Sequence, residues 1–294
     1  MTEQLKLKLN DSKATRWGAL VIVAFTMMAA YYVNDVVAPL KTMLETDLAW
    51  SSTDFGFFTG GYSFLNVFFL MLIWGGLILD RFGIRFTGKL ATILMVGGTA
   101  LEYYAMTGLA GADATLFGIN EIFGYKTGVF VAFAGYSIFG VGAEVAGITV
   151  SKIIAKWFKG KELATAMGVQ VALARIGSQA GYAVAIPLAR AFGISTPVLL
   201  GLVLLLGGMI AFFIFAVMDK KLDKQMEAAA IAAGTEDEEE KFSFKDVKNI
   251  LVNPGFWLIA LLCVLFYSCV FPFQKFASEL MIICLLYTSD AADE

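Results

Sequence analysis

Seven stretches of this chain are apolar for long enough to cross a bilayer, whose hydrocarbon core takes about 20 residues of helix. They cover residues 17–37, 55–79, 88–109, 129–154, 163–188, 194–218 and 255–273. That feature leaves few folds open. In lipid every backbone N–H and C=O must find its partner within the protein, which leaves helices or a closed barrel. Runs of this length read as helices, so the expected class is an all-α polytopic membrane protein. Only 16% of the residues are charged, against about a quarter in a soluble domain. The mean hydropathy is +0.74.

The basic residues assign sides. Lys41, Lys126, Arg190 and Lys275 fall on one side and Arg175 falls within a span. The remaining 17 of the 22 Lys and Arg residues lie on the other side, in the N-terminal segment and in the second, fourth and sixth loops. Lys and Arg concentrate in cytoplasmic loops, so the N-terminus is expected in the cytoplasm, with the bacterial inner membrane as the expected location. The polar start, MTEQLKLKLNDSKATRW, lacks a signal-peptide cleavage pattern.

Several chemistries are disfavoured. The absence of histidine removes histidine relays, haem ligation and HExxH-type zinc sites. Cys263, Cys269 and Cys284 form no CxxC pair. No GxSxG element is present either, so no enzyme, metal or cofactor is expected. The expected partners are a small-molecule solute and the bilayer, with no nucleic acid.

Residues 1–218 are expected to form a six-helix bundle, and 219–249 a cytoplasmic central loop containing TEDEEE and the amphipathic KFSFKDVKNIL. Residues 250–283 would begin a second half with helix 7. The ending CLLYTSDAADE, 284–294, reads as the translation of a transposase sequencing adapter, which would make the chain a truncated fragment.

The second loop reads GGLILDRFGIRFTGK, and Gly76, Asp80, Arg81, Gly83 and Arg85 within it spell G-x-x-x-D-R-x-G-x-R. This spaced motif between spans 2 and 3 resembles that of the major facilitator superfamily. The stretch WFKGKELATAMGVQVALARIGS, 157–178, narrows the resemblance to the branch of the lysosomal dipeptide transporter and its bacterial relatives. YYVNDVVAPL, YSFLN and VFPF support it. The resemblance implies two six-helix halves with a solute site between them at mid-membrane, the second half being absent here. The motif residues would help to hold the cytoplasmic side shut. The Gly-Pro pair of the proton-coupled drug antiporters is missing from span 5.

Four charges lie in or near the end of a span: Asp35, Glu102, Glu144 and Arg175. A charge at a helix centre costs about 2.5–3.5 kcal/mol on insertion scales, so it faces a partner or an aqueous cavity. Ser137, Gly140, Glu144, Gly147 and Ser151 form one small, polar helix face. Gly168, Ala172, Arg175, Ser178, Gln179 and Tyr182 form another. Spans 4 and 5 share a short loop and are expected to be antiparallel neighbours, with Glu144 and Arg175 in reach of each other or of one ligand. Two readings follow. The charges form an ion pair that only fixes packing, or Arg175 grips a carboxylate and Glu144 an ammonium.

Tyr31 and Asp35 on span 1, and Thr59, Tyr62, Ser63 and Asn66 on span 2, could line the same cavity or bond helix to helix. Glu102 is a candidate proton carrier. Gly56/Gly60 and Gly177/Gly181 have the spacing of packing pairs. The expected function is secondary transport of a small polar or zwitterionic solute, a dipeptide or amino acid. A carrier of organic anions or sugars, and a non-transporting sensor of the same fold, are the alternatives.

Overall fold

A computed structural model describes residues 8–110, 115–116, 118–233 and 251–285. The stretch TEDEEE, all but the last residue of KFSFKDVKNIL, and 286–294 of the expected adapter tail lie outside the described residues. The chain divides into two compact units, Met1–Ala233 and Gly234–Glu294.

The first unit is helical. Helix α1 is Lys13–Val36, capped by Ser12, whose side chain accepts from the Thr15 N–H. A 3-10 turn at Ala38–Leu40 leads to the short α2, Lys41–Asp47. Helix α3 is Ser52–Phe68, opened by a capping box between Ser51 and Asp54. Then follow α4, Met71–Thr107, α5, Thr127–Trp157, α6, Leu163–Phe192, and α7, Thr196–Ala233. A hairpin of β1, Glu121–Ile122, and β2, Tyr125–Lys126, precedes α5. The second unit holds α8, Pro254–Leu285.

By length and apolarity alone, Lys13–Asp47, α5, Thr196–Ala229 and Pro254–Ala277 can cross a membrane, and the bent α3–α4 pair adds a fifth. The span expected at 163–188 is present as α6, but Gln170, Arg175, Ser178 and Gln179 dilute its apolarity.

The second expected span differs most. Instead of one rod over 55–79, the helix breaks at Phe69–Leu70, and α3 and α4 meet at a 58° bend. Leu70 sits at φ 51°, a left-handed conformation that costs an L-residue roughly 1–2 kcal/mol. Val67, Phe68 and Phe69 lose rotamer freedom in a helix, which lowers the cost of breaking it there.

The expected second loop has collapsed to a single turn at Gly83, φ 75° and ψ 173°. Contacts with α5 show that the chain reverses there. Before it, Gly61 meets Phe133 and Ser137, Gly75 meets Val145 and Asp80 meets Lys152, so both chains run the same way. After it, the Ala91 carbonyl meets Gly142 and Gly98 meets Gly135 and Phe139, so they run oppositely. A residue with a Cβ would resist that φ, which explains the motif glycine. Gly76 has open space around it. The close approach is one residue earlier, where a Cβ on Gly75 would lie 2.7 Å from Val145 Cγ2.

Helix α1 packs on α6 and α7, α5 packs on α3 and α4, and α4 packs on α7. Exchanging α1 with α5, α3 with α6, and the second limb of α4 with α7 leaves this pattern unchanged. The exchanged helices α1 and α5 run in opposite directions, as in an inverted-topology repeat. The glycines decide who touches whom. A Cβ on Gly177 would lie 2.1 Å from Met28 O, and one on Gly181 3.0 Å from Tyr32 O, so α6 lies backbone to backbone against α1. Gly56 and Gly60 face open space in this unit, contrary to their reading as a packing pair.

Helix α7 does not stop at the expected span end, Met218, but continues to Ala233. Residues 219–233 are mostly Lys, Ala, Glu, Gln, Met and Leu, all good helix formers.

Candidate functional site

A Cβ on Gly140 would lie 2.6 Å from Tyr62 O, so α3 comes close to α5 one turn from Glu144. The Tyr62 hydroxyl donates to Glu144 Oε1 at 2.8 Å. Tyr62 lies within electrostatic range of Tyr31 and Asp35 as well. Asp35 accepts from Asn34 Nδ2, Asn34 accepts from the Tyr136 hydroxyl, and the Tyr136 ring lies 5.7 Å from that of Tyr62. The structure therefore brings Tyr31, Asp35, Tyr62 and Glu144, from three helices, into one polar cluster.

Helix α6 adds the positive charge. The close packing at Gly177 sets Arg175 against α1, with its guanidinium carbon 5.6 Å from the Tyr31 ring centroid. Arg175 is exposed, and Glu144 is half-buried. Among the described residues no ion pair joins them. The expected side-by-side packing of these two helices is also corrected. Helices α5 and α6 barely touch, because α6 packs chiefly on α1.

Tyr136, which the sequence did not single out, ties α5 to α1. It is buried and donates to Asn34 O at 2.8 Å and Asn34 Oδ1 at 3.1 Å. Asn34 Nδ2 donates to Asp35 Oδ1 at 2.8 Å. Unlike Tyr31 and Tyr62, Tyr136 has no polar residue at i±3 or i±4, so helical spacing gives no signal for it.

Other candidates are not brought to the cluster. Asn66 Nδ2 donates to Tyr62 O in its own helix, at 2.9 Å. Thr59, Ser137 and Ser151 likewise bond their own helix carbonyls. Such back-bonding satisfies a hydroxyl without a second helix. Glu102 is 0% exposed and packed where α4 crosses Gly135.

The motif residues sit in a separate charged layer. Asp80 pairs with Lys152 at 2.8 Å. Arg85 pairs with Asp223 at 2.6 Å and with Asp219 at 3.5 Å. Lys156 reaches Asp219 at 2.8 Å and also binds Asp223, and Trp157 Nε1 donates to Asp219 at 3.0 Å. Arg81 lies 5.7 Å from the Phe82 ring. The sequence held a signal for this layer: like charges at i, i+4 in Lys152/Lys156 and Asp219/Asp223 repel within a helix unless opposite charges face them. The N-terminal segment joins through Arg16–Glu162 at 2.7 Å and Lys161–Asp11 at 2.8 Å.

Among the described residues no group of three or more acidic or cysteine side chains is placed to hold a metal ion. Comparison with known proteins gives the family. Residues 20–283 match the Major Facilitator Superfamily. The lysosomal dipeptide transporter MFSD1 of Pongo abelii is 28% identical over 268 residues, covering 86% of this chain and 51% of the relative. That of Homo sapiens is 28% identical over 274 residues, covering 88% and 52%. That of Gallus gallus is 35% identical over 152 residues, covering 47% and 32%. The chain thus spans about half the length of the first two relatives. No solved structure matches. With the family matched across nearly all of the chain, and helices long and apolar enough to cross a membrane several times, this is a multi-pass integral membrane protein that belongs to the Major Facilitator Superfamily.

Proposed function

We propose that the protein is a secondary transporter of a small zwitterionic solute, a dipeptide or amino acid, working by alternating access. One observation carries this reading. Glu144 is oriented by Tyr62 and Arg175 stands over Tyr31, and the two charges do not neutralise each other. A carboxylate and a guanidinium held apart on separate helices suit a ligand that carries an ammonium and a carboxylate. The relatives are named as dipeptide transporters, which supports the same solute class.

In this reading the N-terminus is cytoplasmic, because the 17 basic residues of that side include the charged layer. Asp80–Lys152 and Arg85–Asp223 fasten the helix ends on that side, and a second half supplies the other wall of the cavity. The bacterial cell membrane is the proposed location. The protein has no enzymatic role here.

Uptake of three compounds by the full-length protein in proteoliposomes tests the reading. A free dipeptide should enter, and its N-acetylated and C-amidated forms should not. Equal uptake of the N-acetylated form would overturn the role of Glu144. The second reading is an organic-anion carrier, favoured by the exposed cation of Arg175 over Tyr31. It predicts uptake of the N-acetylated form and loss of the amidated one.

A further inference from the structure

On α4 and α7, helices that carry none of the polar cluster, an open groove of about 520 Å³ is lined by Met209, Ile210, Phe213, Ile214, Val217 and Lys89. Lys89 is the one charge in that lining, and its Nζ sits 5.2 Å from the Phe213 ring centroid. Among the described residues it has no ion pair. A lone ammonium in an apolar groove is costly unless an anion joins it, although it recovers part of that cost over an aromatic face.

The basic residues above the groove are aligned with it. Ile210, Phe213, Ile214 and Val217 recur at i, i+3, i+4 and i+7 along α7. Lys220, Lys221 and Lys224 extend the same stripe toward the end that carries the charged layer. All three are exposed. Apolar stripe below and basic stripe above is the profile of a phospholipid, acyl chain and headgroup. Phe86 and Ile93, exposed on α4 at i−3 and i+4 from Lys89, widen the apolar wall.

We infer that this groove binds an anionic glycerophospholipid of the leaflet on the basic side. Its phosphate meets Lys89, its headgroup lies under the Lys220–Lys224 fringe, and one acyl chain lies along Ile210, Phe213, Ile214 and Val217. Charge complementarity selects the occupant: a zwitterionic lipid offers the same chain without the net negative charge. Lipid binding at this groove is independent of the solute that the protein carries.

The full chain in nanodiscs, probed by native mass spectrometry, tests it. Phosphatidylglycerol should remain bound in preference to phosphatidylcholine. K89Q should weaken phosphatidylglycerol retention about fivefold, as expected for one Lys at a membrane surface, and K89R should restore it. I214W keeps the charge and fills the groove, and it should displace the lipid as well. Equal retention of the two lipids, or unchanged retention in both K89Q and I214W, would overturn the proposal.

Discussion

The Tyr62 hydroxyl donates to Glu144 Oε1 at 2.8 Å and so joins α3 to α5 beside the face that carries Asp35 and Tyr31. It orients the carboxylate and leaves Glu144 Oε2 without a bond from Tyr62. Y62F removes only the donor. A hydrogen bond to a charged group contributes about 1.5–3 kcal/mol, and partial exposure of Glu144 favours the low end. Y62F should therefore lower thermal stability modestly and raise KM more than it lowers kcat. E144Q keeps an acceptor for Tyr62 and removes the charge, so it should fold like the wild type and lose zwitterion uptake. If E144Q transports a dipeptide with unchanged KM, Glu144 holds no ammonium.

Arg175 is exposed and rests over Tyr31, with no ion pair to lose among the described residues. R175Q should leave stability within about 1 kcal/mol, the scale of an exposed cation–π contact. Its effect on solute affinity should be far larger, at least about 30-fold, which corresponds to roughly 2 kcal/mol for truncating a charged contact. R175K keeps the charge without the planar fork and should fall between. Solute-binding calorimetry on the three proteins checks the order. A binding loss no larger than the stability loss would assign Arg175 to packing.

Much of this was legible in the sequence, for physical reasons. Apolar runs of span length admit only helices in lipid, so each of the seven runs falls on helix, while the short α2, Lys41–Asp47, lay outside them. Glu144, Arg175, Tyr62, Tyr31 and Asp35 stood out because polar groups inside a span need a partner. The arrangement of helices was harder. A short loop between two spans suggests neighbours, yet α6 packs on α1, because the contact is decided by Gly177 and Gly181 meeting the backbone at Met28 and Tyr32. Which helix fills a glycine groove is a three-dimensional outcome that the spacing does not contain. The same holds for Asp219, whose partners Arg85 and Lys156 come from two other helices.

The N-terminal tether should respond only to acid. The hydrogen bond from Lys161 holds the Asp11 carboxyl below its ordinary range. A backbone hydrogen bond within Glu162, followed by the one from Arg16, does the same for Glu162. A carboxyl with a depressed folded value stabilises above its unfolded pKa, about 4, and loses that contribution as pH falls through the folded value. The tether should hold from pH 8 to 5 and loosen below about 4. Mobility of a spin label at A14C, with the native cysteines replaced, reports it. Loosening between pH 7 and 5 would contradict the pairing.

Asp219 and Asp223 lie one turn apart and should differ sharply. Asp219 is 0% exposed and accepts from Trp157 Nε1 and Lys156. D219A strands a buried indole N–H and removes one of the two carboxylates that Lys156 and Arg85 share, Asp223 being left to both, at a cost of about 2–3 kcal/mol. Asp223 is 40% exposed on its side chain, so D223A should cost less than about 1 kcal/mol. Denaturation in detergent compares them. Equal costs would mean that Asp219 is not the buried hub of the layer.

The contact between α1 and α6 can be tested without touching a charge. A methyl at Gly177 would lie 2.1 Å from Met28 O and 2.9 Å from the Met28 carbonyl carbon. Both are backbone atoms, so no side chain can swing away and the helices themselves must part. Overpacking of this kind costs about 1–3 kcal/mol. Gly97 is the control, since it has nothing within 4 Å of its virtual Cβ and sits on an exposed face of α4. G97A gains helix propensity and should be neutral or stabilising by up to about 1 kcal/mol. G177A should be less stable than G97A, and it should also impair solute binding, because parting the helices carries Arg175 away from Tyr31. A G177A protein as stable and as active as G97A would show that α1 and α6 do not meet backbone to backbone.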